Sequence, residues 1–234
     1  MHSVYFFGYS SRMTSPLDTE PLRERKRRAT KVAIEYAATA LVLEHGYDEV
    51  TVDQICAEAE VSKRTFFNYV ASKEAAVIGT TPEDVPEAAL AEFLDRADPD
   101  VPRALLDLFL SAFADARTAD DTQTAVLLQR RRSISCGHPD LAAARMTTSS
   151  RFQRRLVGIL TDHFGNHPSL RRLTGVPVEA EARACVALVA ASTNLGLSTW
   201  LTRESATFAD LGDECATALG QLALLVATPS GSPS

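Results

Sequence analysis

The chain has 234 residues, of which 45% are hydrophobic, so it is long enough to bury one large core or two small ones. Charged residues make up 23%, the formal net charge is -6, and no apolar run approaches the roughly 20 residues of a membrane-spanning helix. These values exclude an integral membrane protein.

The N-terminal segment MHSVYFFGYSSRM lacks the basic region and the sustained apolar stretch of a signal peptide, so we expect a cytoplasmic protein. The four cysteines are far apart in the sequence and form no CxxC pair. In a reducing compartment, isolated cysteines are usually small buried hydrophobic residues, which disfavours a redox role without eliminating one.

The whole chain is predicted to be helical, because no stretch alternates apolar and polar residues as a strand does. The first helix begins near TEPLRERKRR, where Thr19 can cap it and Pro21 suits its first turn. It is predicted to end at His45 and Gly46, where glycine can adopt the left-handed conformation of a helix C-cap.

Three helix starts follow within a short stretch, at Thr51, Ser62 and Ser72. They predict a helix over 52–58, a second over 62–70 and a third after Ser72, with Thr51 and Gln54 at capping-box spacing. A turn of about three residues separates the first two helices, which is the spacing of a helix-turn-helix.

The remaining breaks in the pattern predict helices over 83–96, 100–117, 120–135, 139–164, 177–203 and 206–227. The last seven residues, TPSGSPS after Ala227, are predicted to be disordered.

The predicted helix over 62–70 has a polar face that includes an aromatic ring. Apolar residues of this segment can pack on the preceding helix, which turns Lys63, Arg64, Phe67 and Asn68 outward. A ring beside two cations suits the wall of a DNA groove, although a solvated helix with one internally packed ring would show the same pattern.

A basic run, RERKRR, opens the first helix and has five cations in six residues, including Arg25, Arg27 and Arg28. Taken alone, such a run is usually a solvated helix face. Near a helix-turn-helix it is interpreted as an arm that contacts the DNA backbone, because binding depends on local rather than net charge.

Residues 23–80 resemble the DNA-binding domain of the TetR/AcrR family of bacterial regulators. The resemblance rests on the basic first helix, on EHGYDEVTVDQIC and on VSKRTFFNYVASKEA, with the spacing between them. It implies an all-α fold with an N-terminal three-helix helix-turn-helix domain and a larger C-terminal helical domain for ligand binding and dimerisation. The expected division is a flexible tail over 1–20, the DNA-binding domain over 21–80, the second domain over 81–227 and a disordered tail over 228–234.

The resemblance also implies roles for individual residues in binding a double-stranded DNA operator. Phosphate contacts are expected for Thr51, Tyr69 and Lys73, and Phe67 is expected to lie along the backbone. The positions expected to approach the base edges are those of Lys63, Arg64, Thr65 and Asn68, and Ser62 is expected to be a further DNA-binding residue. Glu60 departs from the family pattern, which usually has glycine in this turn, and a non-glycine residue in the left-handed region costs about 1 kcal/mol.

For the rest of the chain, the resemblance implies a homodimer through the last two helices and a small-molecule effector. The predicted interface stripe includes Leu197, Trp200 and Leu222. The effector is expected among the helices of 100–203, with Phe109 and Phe113 on one helical face. The polar candidates for this pocket are Gln129, Arg130, Asn194 and His163.

Competing functions have little support in the sequence. It contains no GxSxG, phosphate-binding glycine loop or HExxH, so no enzyme activity, catalytic residue or cofactor is predicted. His163 and His167 are four residues apart, but Gly165 and Pro168 disfavour a metal site on one helix. The function that the resemblance implies is a repressor that is released from a palindromic operator by an apolar or amphipathic effector. A metal- or redox-responsive regulator and a helical interaction module that does not bind DNA are the alternatives.

Overall fold

The computed structural model describes residues 22–79, 82, 84–113, 121–173, 175–203 and 207–226, and their regular structure is helical. This confirms the predicted all-α fold class. The α-helices in chain order are α1 (Leu22–His45), α2 (Val52–Glu58), α3 (Lys63–Tyr69), α4 (Lys73–Ile78), α5 (Glu87–Asp95), α6 (Val101–Ser111), α7 (Asp121–Gly137), α8 (Pro139–Asn166), α9 (Val178–Trp200) and α10 (Phe208–Val226). A short 3-10 turn over Pro168–Leu170 follows α8.

The N-terminal helices begin and end where the local signals predict. Gly46 follows α1 with a φ of 88°. Thr51 and Gln54 form a reciprocal capping box at the start of α2, and the hydroxyls of Ser62 and Ser72 accept hydrogen bonds from the first turns of α3 and α4. The predicted cap of α1 at Thr19, like both predicted tails, lies outside the described residues.

The later helices differ from the prediction mainly at their ends. The structure begins α5 at Glu87 rather than at residue 83, because Pro86 has the extended backbone of a residue outside the helix. Upstream of it, the Asp84 carboxylate accepts hydrogen bonds from the Val85 amide and from Arg155 on α8. Helix α6 ends at Ser111, and the remainder of the predicted helix over 100–117 runs into residues outside the described part.

Two clusters of buried apolar side chains form the core. The first contains Ile34, Ile55 and Phe66 from α1, α2 and α3, all fully buried, together with Ile134 from α7 and Leu141 from α8. The second cluster joins α5, α6, α8, α9 and α10. Because α7 and α8 contribute to the first cluster, they attach the three N-terminal helices to the rest of the chain, and the domain boundary near residue 80 stays a prediction.

Helices α9 and α10 pack very closely at Gly196. A Cβ atom at this position would lie 2.6 Å from the Cys215 Cα, which only the absence of a side chain allows. At the end of α9, Trp200 is 1% exposed and its indole N–H donates to the Thr207 carbonyl.

The buried indole corrects the predicted interface stripe, because Trp200 belongs to the core of its own chain. The predicted interface residue Leu222 is half-buried. Large apolar side chains that do reach the surface of α9 and α10 are Leu195, Leu224 and Leu225, which are 40%, 76% and 80% exposed. Within the described ranges, no helix combines the length and the apolar character needed to cross a bilayer.

Candidate nucleic-acid interface and apolar cavity

Helix α3 packs against the core through apolar side chains on one face and exposes polar residues on the opposite face. Phe66 is fully buried and Val70, which caps the helix C-terminus, is 3% exposed. The opposite face exposes Lys63, Arg64, Phe67 and Asn68, as predicted from the sequence.

The exposed ring of Phe67 decides between the two interpretations of this helix in the free chain. It is 55% exposed and touches the buried Phe66 edge-on, with ring centroids 5.1 Å apart. It is therefore not packed internally, and a large apolar group presented beside Arg64 and Asn68 suits contact with sugars or a thymine methyl group. Thr65 and Tyr69 are half-buried at the sides of the same helix.

The turn between α2 and α3 contains the one non-glycine residue of the described part with a positive φ. This residue is Glu60, at a φ of 52°, where the resemblance led us to expect glycine. The backbone amide of Val61 donates to the Cys56 carbonyl at 2.9 Å, which closes the turn. The left-handed geometry of the family's turn is thus kept, at the cost of about 1 kcal/mol that a side chain adds.

Local contacts position the charged and polar groups around α3. The Lys63 ammonium lies 2.7 Å from the Asp53 carboxylate, and this hydrogen bond and charge raise the pKa of Lys63. The Thr51 hydroxyl accepts from the Gln54 amide and donates to the Gln54 side chain at 2.9 Å. Both Lys63 and Thr51 are exposed, so their partners orient them without removing them from the surface.

Lys73 has a different environment from the one that a phosphate contact suggests. Its Nζ donates to the carbonyls of Tyr47 and Val50, at 2.8 and 2.9 Å, and lies 4.1 Å from the centre of the Tyr47 ring. Two of its three N–H groups therefore hold the loop between α1 and α2 against the start of α4. Lys73 thus fastens this loop in the free chain, and its predicted phosphate contact stays a prediction.

The predicted basic arm forms the first two turns of α1. Arg25 and Arg27 are exposed and Arg28 is half-buried. These cations therefore line one end of the same N-terminal unit that carries α3.

Two adjacent arginines of α7 join α1 to the larger part of the chain. The Arg130 guanidinium lies 4.1 Å from the centre of the Tyr36 ring and donates to the Tyr36 carbonyl. Next to it, Arg131 reaches the buried carboxylate of Glu35, with 2.9 Å between Nη2 and Oε2, and donates weakly to the Val77 carbonyl at 3.4 Å. This contact places a buried ion pair between α1 and α7.

A cavity of about 200 Å³ opens beside this junction. Its apolar wall comes mainly from α6, α7, α9 and α10, and α4 closes it with Ile78 and Gly79. Gly79 has a φ of 79°, and a Cβ there would lie 2.5 Å from the Arg131 Cζ, so the guanidinium rests directly on the backbone. The cavity therefore adjoins both the C-terminal end of α4 and the ion pair between Arg131 and Glu35.

The structure brings three of the four predicted effector-site residues to this cavity. Phe109 and Phe113 line it as a stacked pair with centroids 5.2 Å apart, and Asn194 lines it from α9. Gln129 does not line it and is exposed, because it lies on the outer face of α7. The Gln129 prediction is therefore corrected.

Of the other polar candidates, Arg130 is engaged with Tyr36 as described. His163 is 2% exposed and packs against Phe93 and His167, away from the cavity. Burial and the neighbouring His167 lower the pKa of His163, which favours its neutral form.

Sequence reasoning missed the charged groups of the cavity, Arg131 and Arg145. Arg145, Ser149 and Gln153 are spaced four residues apart on α8 and all line the cavity. That spacing is a signal for one polar helix face. It does not reveal that the face is turned inward.

Metal and redox chemistry find little support in the described residues. They contain no group of three or more histidine, cysteine, aspartate or glutamate side chains that could hold a metal ion. Burial raises the pKa of Cys56 and Cys185, and raises that of Cys215 to about 11, which keeps these thiols protonated. Cys136 is exposed.

Comparison with known proteins matches the N-terminal part of the chain to one family. The family described as "Bacterial regulatory proteins, tetR family" matches residues 36–77, which run from α1 through α4. The match includes the helix-turn-helix described above.

Two curated relatives agree with this match. A protein of Mycobacterium tuberculosis named as a mycofactocin biosynthesis transcriptional regulator, MftR, is 32% identical over 123 residues, 53% of this chain and 60% of the relative. The HTH-type transcriptional regulator TcmR of Streptomyces glaucescens is 43% identical over 70 residues, 30% of each chain. The chain thus spans less than two thirds of either relative.

Among solved structures, a protein from Syntrophomonas wolfei named as a TetR-family transcriptional regulator is 18% identical, with a TM-score of 0.47. The alignment covers 87% of this chain and 98% of that one. Because this TM-score is low, the assignment rests on the sequence matches and on the helix-turn-helix itself. The helix-turn-helix region of this chain is thus similar to the DNA-binding part of the TetR family of bacterial regulatory proteins.

Proposed function

We propose that this protein is a transcriptional repressor that binds a palindromic operator as a homodimer and is released by an amphipathic effector. The observation that carries the proposal is the exposed face of α3, where Lys63, Arg64 and Asn68 surround a ring that the chain leaves open to solvent. Base edges in a major groove offer partners for all three polar groups.

The net charge of -6 does not oppose this function, because DNA responds to the charge of the surface that faces it. The exposed arginines of the first turns of α1 add cations to the unit that carries α3. They support non-specific attraction to phosphates, whereas the residues of α3 select the sequence. Such a regulator acts in the cytoplasm, where its operator lies.

A dimer is part of the proposal, since two recognition helices must reach major grooves about 34 Å apart. We place the interface on the outer faces of α9 and α10, at Leu195 and Leu224 rather than at Trp200. Small residues at 184, 187 and 191 extend the exposed face of α9, which lets a second copy approach closely. The exposure of Leu224, at 76%, is a further indication that this face has a partner.

The effector is proposed to occupy the cavity between α6, α7, α8 and α9. Phe109, Phe113 and several leucines favour a ligand with an apolar body. The cavity touches α4 through Ile78 and Gly79, so a ligand that repositions α4 changes the placement of α3 in both subunits.

The proposed function is tested by measuring binding of the chain to duplex DNA from the region upstream of its own gene, by fluorescence anisotropy over a range of salt concentrations. We expect a palindromic site to bind more tightly than random DNA. Arg64→Ala should reduce the difference in binding free energy between the palindromic site and random DNA by about 1–3 kcal/mol for each base whose hydrogen bonds to Arg64 are lost.

Arg154→Ala provides a matched control, because Arg154 is an exposed arginine of α8 and lies outside α3. This variant should bind operator and random DNA as the unaltered chain does. Equal losses on operator and random DNA for Arg64→Ala would reject its base-reading role. Absence of any salt-dependent duplex binding would reject the proposed function and favour an interaction module.

A further inference from the structure

Arg145 is a half-buried cation in the wall of the apolar cavity, and none of the residues that the structure describes supplies a counter-ion. No acidic side chain pairs with it within the described residues, and it donates no hydrogen bond there. A charge removed from water without a partner is unfavourable, so such a group is retained at a site where a ligand supplies the opposite charge.

A second guanidinium reinforces the positive potential at the same place. Burial, together with repulsion from Arg131 and Arg132, lowers the pKa of Arg145. The Arg131 side chain is only 11% exposed. Its Nη2 lies close to the Glu35 carboxylate but is not aligned with it as a hydrogen bond, so this buried donor is left without an acceptor.

The cavity is therefore amphipathic, with charged and polar groups gathered on one part of its lining. Arg131 and Arg145 lie at the end that α4 closes, and Ser149 and Gln153 continue the polar stripe of α8. The rest of the lining is mainly apolar, and its aromatic part is Phe109 of α6 together with Phe113, which lies just beyond the end of that helix.

We propose that this cavity binds an amphiphile with a carboxylate head group, which Arg145 and Arg131 hold while the apolar chain lies against Phe109 and Phe113. The inference rests on the proposed function and narrows its effector from amphipathic molecules in general to organic acids. A carboxylate accepts two parallel N–H donors from a guanidinium, which gives both strength and orientation.

The same geometry connects the ligand to the DNA-binding unit. Arg131 holds Glu35, which is 5% exposed on α1, so a head group that draws Arg131 away leaves a buried carboxylate without its cation. The α1–α7 contact is then destabilised, and α1 shifts relative to α7. Operator affinity falls for this reason.

The test is a calorimetric titration of the full chain with three probes of equal length: octanoate, 1-octanol and octylamine. Octanoate should bind at least about tenfold more tightly than the alcohol, and the amine more weakly than either, because the head group meets two cations. Octyl phosphate serves as a fourth probe that separates a carboxylate site from a general anion site. Tighter binding of octyl phosphate than of octanoate overturns the carboxylate assignment in favour of a phosphate head group.

Arg145→Met keeps the length and apolar stem of the side chain and should abolish the preference for octanoate over octanol. Arg154→Met is the matched control, since Arg154 is an exposed arginine of the same helix α8 that does not line the cavity. It should leave the preference intact. Equal binding of octanoate and octanol to the unaltered chain, or no binding of any probe, overturns the inference without any variant.

A parallel titration of operator-bound protein separates this inference from the proposed function. Release of the operator by octanol or octylamine but not by octanoate would leave ligand-controlled DNA binding standing and reject the acid site. Arg145-dependent binding of octanoate that leaves operator affinity unchanged would support the site and reject its control of DNA binding.

Discussion

Replacing Lys73 with methionine separates a structural role for this residue from a phosphate contact. The ammonium fastens the carbonyls of Tyr47 and Val50 to the start of α4, and the substitution leaves both carbonyls without this donor. A hydrogen bond to a charged group contributes about 1.5–3 kcal/mol, and a cation over an aromatic ring about 0.5–1 kcal/mol when exposed.

Because Lys73 is half-buried, water can replace part of these interactions, and we expect the free energy of unfolding to fall by about 2–4 kcal/mol. With a urea dependence of about 2 kcal/mol per molar, the unfolding midpoint should fall by roughly 1–2 M. The slope of log K against log salt for operator binding should remain unchanged, since Lys73 neutralises no phosphate in this interpretation.

A phosphate contact predicts the opposite pair of results. Each phosphate that is no longer neutralised reduces the slope by about 0.9, so a dimer would show a slope smaller by about 1.8 with little change in stability. Lys63→Met is the matched control, because Lys63 is exposed on α3 with one surface ion pair to Asp53. It should weaken DNA binding without lowering the urea midpoint. A slope reduced by about 1.8 at unchanged stability for Lys73→Met would refute the fastening role of Lys73.

Three further substitutions test the rest of the structure. Gly196→Ala should lower the free energy of unfolding by about 1–3 kcal/mol in thermal or urea unfolding, because the new Cβ would meet the Cys215 backbone. Gly158→Ala is the control, because a Cβ at this position of α8 would meet no atom within 4 Å, and it should stabilise the chain by up to about 1 kcal/mol. Equal effects of the two substitutions would contradict the close contact between α9 and α10. Leu224→Asp should convert a dimer to monomer in sedimentation velocity, since a buried unpaired charge costs several kcal/mol, and a persistent tight dimer would place the interface elsewhere. Burial of the Glu181 carboxylate would raise its pKa, but hydrogen bonds from two backbone amides and an arginine lower the pKa overall. The ionised carboxylate therefore stabilises the folded chain at pH values above the unfolded pKa of about 4.3. This stabilisation is lost as the pH falls through the lower pKa of the folded state. Glu181→Gln should lower stability at pH 7 and flatten this acid limb in urea unfolding measured from about pH 7 down to about pH 3; an unchanged acid limb would assign the effect to other groups.

The helix-turn-helix could be predicted from the sequence because the interactions that define it are local. Thr51, Ser62 and Ser72 each cap a helix through a backbone amide three residues away, and Gly46 ends α1 through its own left-handed backbone. The exposure of Phe67 followed from the helical period once Phe66 was placed in the core. Residues close in sequence meet whatever the rest of the chain does, so their spacing is sufficient evidence.

Only the tertiary structure determined the contacts between residues that are far apart in the sequence. The partners of Lys73 lie 23 and 26 residues away, so its contact with the loop between α1 and α2 could not be read from local spacing. Packing of α9 on α10 buried Trp200 within the chain. Helices α7 and α8 carry seven arginines between them, and only the packing of the helices determines that Arg131 and Arg145 are the two that line the cavity. The burial of those two charges depends on interactions with distant helices, which no local pattern of residues encodes.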